Sequence, residues 1–287
     1  MEISVIIPAK NESLALRDLL VELKETYPDF EIVVVNDGST DETAALCAQL
    51  GIVSVNHPYS MGNGAAIKAG ARKANGEAFI FMDADGQHKV SDIAALLDKY
   101  RQGYDMVVGA RDKDSQSSTA RWLANSVYNR IASFIVNQPV EDLTSGLRMA
   151  NARKFKEFLY LLPNGFSYPS TITLAFFRMG YTVAYVPIKT EPRIGRSHLR
   201  PLTDGPRFLV ILYKMTVLYS PLKVFLPFAI LHFVLGLANY AYTYSTQGRF
   251  TNMSGVLFSA SVIIFLMGLV SEQITALMYQ RVCDRAE

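Results

Sequence analysis

Cysteine is almost missing from this 287-residue chain: Cys47 and Cys283 are the two present, far apart and in no metal-like spacing. That excludes a disulfide framework and suits a reducing compartment. Excess charge is missing too, with 28 Lys and Arg against 26 Asp and Glu, so net charge selects no partner. No internal repeat or low-complexity tract occurs. The opening MEISVIIPAKNES has neither a basic n-region nor a long apolar core. It reads as a first strand rather than a signal peptide.

The most telling absence is of charge in two long runs. Residues 224–244 and 254–271 contain no Asp, Glu, Lys or Arg. Half the residues are hydrophobic and the mean hydropathy is +0.15, high for a purely soluble protein. The second run stays apolar to about Tyr279, so membrane spans are expected at 224–244 and 254–278. Each reaches the roughly 20 residues that cross a bilayer core. Buried core helices are the weaker reading, because the runs stand in tandem. Glu272 is the exception, expected to reach the interface or a neighbouring helix. Between Lys189 and Lys223 lie seven Lys or Arg, and Arg281 and Arg285 follow the second run, whereas the short connection holds Arg249 alone. The positive-inside rule then places both termini in the cytoplasm, in a multi-pass protein of the cell (inner) membrane. Residues 206–222 are expected to lie in the interface as a juxtamembrane helix, with contribution to the domain core as the alternative. The expected divisions are a cytoplasmic catalytic domain at 1–205, the interfacial helix at 206–222 and a two-helix anchor at 223–287.

Before residue 206 the pattern alternates. Short β-branched runs at 2–7, 31–35, 52–55, 77–82 and 105–109 are separated by helical spacing at 12–26, about 41–50, 62–74 and 91–102. This predicts an α/β domain, a mostly parallel central sheet with helices on both faces. Further on, helices are expected at 119–137 and 167–179 and strands at 146–150 and 182–187.

The stretch that carries chemistry is FIFMDADGQH at 79–88. A buried strand delivers Asp83 and Asp85, two residues apart, to its C-terminal end, where ligands bind in open α/β sheets. Side chains at i and i+2 of an extended segment share a face. Two carboxylates on one face repel unless a cation sits with them, and hard oxygen ligands favour Mg²⁺ or Mn²⁺. Such a metal would hold a diphosphate. Three further loops gather at the same edge: PAKNE (8–12), NDGSTD (36–41) and MGNG (61–64), with Lys68 and Gly70 beyond. Each alone is explained as a cap or a turn; together, in this order, they are not.

The segments VIIPAKNE, VVVNDGSTD, MGNGAAIKAG, FMDADGQH, VVGAR, DLTSGLR and RIGRSHLR span residues 5–200. In them the chain resembles the family 2 glycosyltransferases of glycosyltransferase-A (Rossmann-like) fold. More narrowly it is similar to the polyprenyl-phosphate hexosyltransferases, the group of dolichol-phosphate mannose synthase and undecaprenyl-phosphate glucosyltransferases. The two C-terminal helices match a membrane-anchored subgroup. The resemblance implies that Pro8, Ala9 and Glu12 line a nucleotide pocket, that Asp37 hydrogen-bonds the base or ribose, and that Lys68 belongs to the nucleotide site. It implies Asp83 and Asp85 at the diphosphate, with Asp85 and Gln87 as metal ligands beside Asp83. It places Arg111 and Arg121 at the acceptor phosphate, Ser145 and Arg148 bordering sugar and acceptor, and Arg196 closing over the phosphates. PAKNE departs from relatives that carry an aromatic or Thr before Asn-Glu. The implied partners are a nucleotide sugar, a polyprenyl phosphate and the membrane, with a homo-oligomer plausible from a two-helix anchor and no nucleic acid.

The chemistry agrees. A metal neutralises charge developing on a leaving diphosphate, and arginine forks bind phosphate bidentately. A phosphate acceptor is already anionic, so it needs little from a general base; Asp142 is the one candidate. A processive polysaccharide synthase would need more spans and a Q-x-x-R-W segment, and neither is present. A non-catalytic membrane scaffold would have no use for intact Asp37, Asp83, Asp85, Gln87 and Arg111.

Overall fold

The computed structural model describes residues 1–112, 119–165, 168–191, 213 and 216–283. They fall into two compact units, Met1–Pro201 and Leu202–Glu287.

In the first unit the elements run β1 (Ile3–Ala9), α1 (Ser13–Thr26), β2 (Glu31–Asn36), α2 (Thr43–Gln49), β3 (Val53–Asn56), α3 (Asn63–Lys73), β4 (Ala78–Phe81) and α4 (Asp92–Tyr100). They continue with β5 (Met106–Arg111), α5 (Thr119–Val136), β6 (Arg148–Asn151), α6 (Ala152–Lys156), α7 (Tyr168–Arg178) and β7 (Val183–Ile188). Periodicity locates these elements to within a few residues; α6, five residues long, is too short to leave a periodic signal and starts where Asn151 Oδ1 accepts from Lys154 N at 3.1 Å. The seven strands form one sheet in the order β3-β2-β1-β4-β6-β5-β7. β6 alone runs antiparallel to its neighbours, and the other pairings are parallel.

Both faces of the sheet are covered, which is why its strands read as continuous apolar runs. On one face Val5, Ile7, Ile80, Met82, Val107 and Met149 meet the apolar stripes of α1, α2 and α4. Alternate residues point the other way. Phe79 and Phe81 meet Phe155, with the Phe81 and Phe155 rings 4.4 Å apart, and Phe158, Phe176 and Tyr181 extend the aromatic layer.

The start of α3 shows why MGNG is glycine-rich. A Cβ on Gly64 would lie 1.9 Å from the Pro163 carbonyl oxygen. That close approach lets the Asn164 and Gly165 carbonyls accept from Ala65 N at 2.9 Å and Gly64 N at 3.2 Å, satisfying N–H groups that a helix start leaves without partners. Lys68 Nζ donates to the Leu162 carbonyl at 3.0 Å and to Asn164 Oδ1.

The second unit is a hairpin of α8 (Pro221–Gln247) and α9 (Asn252–Cys283). Over Pro221–Gln247 and Asn252–Tyr279 these helices are long and apolar enough to cross a membrane. Large apolar side chains such as Phe228, Leu231, Ile263 and Val270 face outward, where hydrocarbon is the compatible solvent. Small residues close the seam: Gly236 lies against Phe258 and Gly268 against Phe225. Ser261 Oγ donates to the Ala229 carbonyl at 2.8 Å, and Asn239 Oδ1 accepts from Ser254 Oγ at 2.8 Å. Glu272 does reach the neighbouring helix: its Oε2 accepts from Leu222 N at 3.3 Å, where the N-terminal end of α8 favours negative charge.

Gly64→Ala is expected to destabilise the protein by about 1–3 kcal/mol, because neither α3 nor the Pro163 backbone can yield without losing the contacts between them. A lower urea midpoint by circular dichroism checks this.

Candidate functional site

The strand order reverses at β1: β2 and β3 extend to one side, β4 and the rest to the other. Loops leaving the C-terminal ends of β1 and β4 part there, opening the crevice in which such sheets bind ligands. Pro8 and Ala9 end β1 beside β2, with Ala9 opposite Asn36, and Glu12 precedes α1. The β1 and β2 loops are tied together. Asn11 Oδ1 accepts from Thr40 N at 2.8 Å, and Asp41 Oδ2 accepts from Ser13 N at 3.0 Å.

Asp37 is the knot of this half. Its Oδ1 lies 2.8 Å from His57 Nδ1 and accepts from Met61 N at 2.7 Å. Its Oδ2 accepts from Ser60 Oγ at 2.8 Å and Gly62 N at 2.9 Å. A carboxylate offers about four acceptor positions, and these four contacts engage them inside the protein. Asp37, expected against a base or ribose, shapes the loop from His57 to Gly62. Burial works to raise its pKa, but the bonds from His57, Met61, Ser60 and Gly62 overcome that and hold it below the usual carboxylate value. Lys68 likewise points to the 162–164 segment, and burial lowers its pKa.

Across the crevice stands the acidic loop after β4. Asp85 is buried, and its Oδ1 accepts from Gln87 N at 3.2 Å. Gln87 Nε2 donates to the Glu191 carbonyl at 3.5 Å, and Glu191 N donates to the Gln87 carbonyl at 3.0 Å. His88 is buried with no hydrogen-bond partner for Nδ1 among the described residues; burial lowers its pKa against the opposing pull of Asp85. Asp83 lies so close to Gly146 that a Cβ there would sit 2.0 Å from Asp83 Oδ2.

No group of three or more His, Cys, Asp or Glu side chains converges on a metal position among the described residues. Two carboxylates and the Gln87 amide on one loop are nevertheless a hard-oxygen set. Mg²⁺ is commonly held by one or two carboxylates plus substrate phosphates, so a partial set fits a cation that arrives with a diphosphate.

β5 ends on Arg111 and β6, running the opposite way, begins on Arg148, so both arginines stand at this same edge. Arg111 forks onto Asp142, Nε to Oδ2 at 2.7 Å and Nη2 to Oδ1 at 2.9 Å, and also donates to Thr144 Oγ1. Burial tends to lower the Arg111 pKa; Asp142, with Asp83 and Asp85 behind it, more than reverses this. Asp142 is correspondingly held low despite its burial, mainly by Arg111. So placed, it is a weak base.

Arg148 is fully buried, and burial lowers its pKa. It donates from Nε and Nη2 to the Ser145 carbonyl, and from Nη1 to the Pro169 carbonyl at 2.9 Å and Thr173 Oγ1 at 3.1 Å. These contacts make Arg148, expected to border sugar and acceptor, a clamp that fastens the Ser145 loop to α7. Ser145 is buried and donates at 3.5 Å to the Leu147 carbonyl. The Arg121 side chain and the whole of Arg196 lie outside the described residues.

The structure thus brings together Asp83, Asp85, Gln87 and Arg111, while Asp37, Lys68 and Arg148 brace loops. Sequence reasoning missed Thr144, Gly146 and Tyr168. Gly146 stood inside the quoted DLTSGLR segment, but nothing in one sequence reveals that Asp83 presses on it. Tyr168 stands in no motif at all.

Residues 4–159 match the glycosyl transferase family 2, and residues 220–277 match the GtrB C-terminal hairpin. The chain belongs to glycosyl transferase family 2, and its α/β unit has the glycosyltransferase-A fold. It is 28% identical to "Glycosyltransferase AglJ" of Haloferax volcanii, over 96% of this chain and 94% of that one. It is 26% identical to "Dolichyl-phosphate hexose transferase" of the same organism, over 71% of this chain and 89% of that one. Among solved structures, glucosyl-3-phosphoglycerate synthase from Mycobacterium tuberculosis, crystallised with Mn²⁺ and UDP-glucose, superposes with a TM-score of 0.59 at 20% identity, over 75% of this chain and 78% of that one.

Asp37, Asp41, Asp105 and Asp142 all have folded pKa values below their unfolded ones. On acidification the unfolded state takes up protons first. Their stabilisation is therefore present above about pH 4, the unfolded carboxylate value, and is lost as pH falls through the folded values. The urea midpoint is expected to be level near neutrality and to drop below about pH 4. Asp37→Asn should lower the neutral midpoint and make that acid loss shallower.

Proposed function

We propose that this glycosyltransferase moves a hexose, with inversion, from a UDP- or GDP-linked donor to a polyprenyl phosphate. The reaction takes place at the cytoplasmic leaflet and yields a polyprenyl-phosphate-linked sugar. The observation that carries this reading is the meeting of Asp83, Asp85 and Arg111 at one sheet edge, in a chain that ends in an apolar hairpin. The similarity to a dolichyl-phosphate hexose transferase supports the acceptor class.

The roles follow from charge. Asp83, Asp85 and Gln87 would hold a Mg²⁺ or Mn²⁺ ion, which when bound would supply charge neutralisation on the departing nucleoside diphosphate. Pro8, Ala9 and Glu12 line the nucleotide side. Asp37 and Lys68 act at one remove, Asp37 by fixing the His57–Gly62 loop and Lys68 by holding the 162–164 segment. Arg111, oriented by Asp142 and Thr144, meets the acceptor phosphate together with Arg121 and Arg196, while Ser145 and Arg148 form and brace the loop beneath. The acceptor oxygen is already anionic, so attack on the anomeric carbon rests on positioning rather than proton removal. Residues 1–205 act as the cytoplasmic catalytic domain, 206–222 as an interfacial helix and 223–287 as the anchor, with both termini inside.

The test is transfer from labelled nucleotide sugars to undecaprenyl phosphate by the full chain in detergent with Mg²⁺ or Mn²⁺. Labelled lipid from one donor, abolished by EDTA and reduced at least about 100-fold by Asp85→Asn, is the expected result. No lipid product from any donor, with the fold intact, would overturn the reading. Gly146→Ala, which must push Asp83 aside, is expected to lower kcat at least about tenfold, since misplacement near 1 Å costs that much or more; initial rates at saturating donor check it.

A further inference from the structure

Beside Asp83 and Gly146 the α/β unit holds a partly open cavity of about 80 Å³, lined also by Asn63, Thr144, Tyr168 and Ser170. A buried water needs roughly 10–15 Å³ of such space, so the cavity admits several waters or the hydroxyl-bearing edge of a sugar ring. Asn63 is exposed, and two of the cavity's buried or half-buried hydroxyls are engaged. Thr144 Oγ1 accepts from Arg111 Nη2, and Ser170 Oγ accepts from Tyr128 Oη at 3.1 Å. Tyr168 is the exception: the residue is 1% exposed and its hydroxyl has no hydrogen-bond partner among the described residues.

A buried phenol without a partner is costly and uncommon, since buried Tyr O–H groups ordinarily find one. Tyr168 is also held rigidly. Its ring packs against Phe81, with centroids 6.1 Å apart, and the Arg148 guanidinium lies 5.7 Å from its centroid. Arg148 also fastens the adjoining Pro169 carbonyl at 2.9 Å. Burial keeps the phenol protonated far above neutral pH, so it remains a donor. Among the described residues lining the cavity Asp83 is the one charged side chain; no cationic side chain among them receives a sugar carboxylate, which favours neutral over acidic sugars.

We infer that the Tyr168 hydroxyl is a specificity-determining contact for the donor's sugar, hydrogen-bonding one ring hydroxyl of a neutral hexose whose edge enters this cavity. The inference rests on the transferase reading above and adds a residue and a sugar class to it.

The experiment measures kcat/KM of the full chain for undecaprenyl phosphate with the preferred nucleotide hexose, its monodeoxy analogues and the matching hexuronate. It compares the wild type with Tyr168→Phe. Tyr185→Phe, which removes another buried hydroxyl without a partner among the described residues and away from the cavity lining, is the control. Tyr168→Phe is expected to cost about ten- to hundredfold with the parent sugar. One monodeoxy analogue should suffer a similar loss in the wild type and no further loss in Tyr168→Phe, the non-additivity of a direct contact. The hexuronate should be the poorest donor, the ligand-free melting temperature should be level or higher, and Tyr185→Phe should keep the wild-type donor order. An unchanged kcat/KM for Tyr168→Phe overturns the inference and leaves the transferase reading standing, as does an equal loss on every analogue with a lowered melting temperature. Preference for the hexuronate overturns the sugar class. A wild type that turns over no nucleotide sugar overturns both readings.

Discussion

The site depends on one constraint, the reversal of strand order between β1 and β4. In a parallel sheet every strand ends at the same edge, and where the strand order advances steadily neighbouring loops run to the same face. Where the order reverses, two adjacent loops part and the edge stays open. The acidic loop after β4 stands on one side of that gap and the knotted loops after β1, β2 and β3 on the other. β6, entering the sheet backwards, adds Arg148 at its first residue to an edge that a parallel strand would have reached with its last.

Holding this much charge at one edge requires that each charge have a defined partner. The molecule solves this in two ways. Asp37 is surrounded by donors, two of them backbone N–H groups, and becomes a fixed point for the His57–Gly62 loop. Arg111 and Asp142 neutralise one another through a two-point fork, which fixes the guanidinium plane while Asp83 and Asp85 still act on its charge. Buried pairs of this kind contribute geometry more than stability. Arg148 follows a different rule: among its contacts are carbonyls rather than a carboxylate, so it binds backbone to backbone across the Ser145 loop and α7.

The two units answer different solvents. The α/β unit buries its apolar residues between sheet and helices. The hairpin turns apolar residues outward and closes its seam with glycine, serine and Asn239. Glu272 is the charged residue within the apolar stretch Asn252–Tyr279, and it meets the start of α8, where backbone N–H groups lack helical partners.

Much of this was legible in the chain. Apolar runs of period two and stripes of period 3.6 carry strands and helices, because burial of a face requires them, and runs free of charge mark the hairpin for the same reason. The placing of Asp83, Asp85 and Gln87 at the sheet edge was readable because they follow the end of a buried strand within one loop. The partners of Asp37, the clamp made by Arg148, the closeness of Gly146 to Asp83 and the Tyr168 hydroxyl, without a partner among the described residues, were not. Each joins residues tens of positions apart, and the energy of a hydrogen bond or a steric contact is decided within a few ångströms. Sequence alone determined which elements form and which loop carries the acids; tertiary structure decided which polar groups satisfy one another, because those pairings join distant residues at hydrogen-bond range.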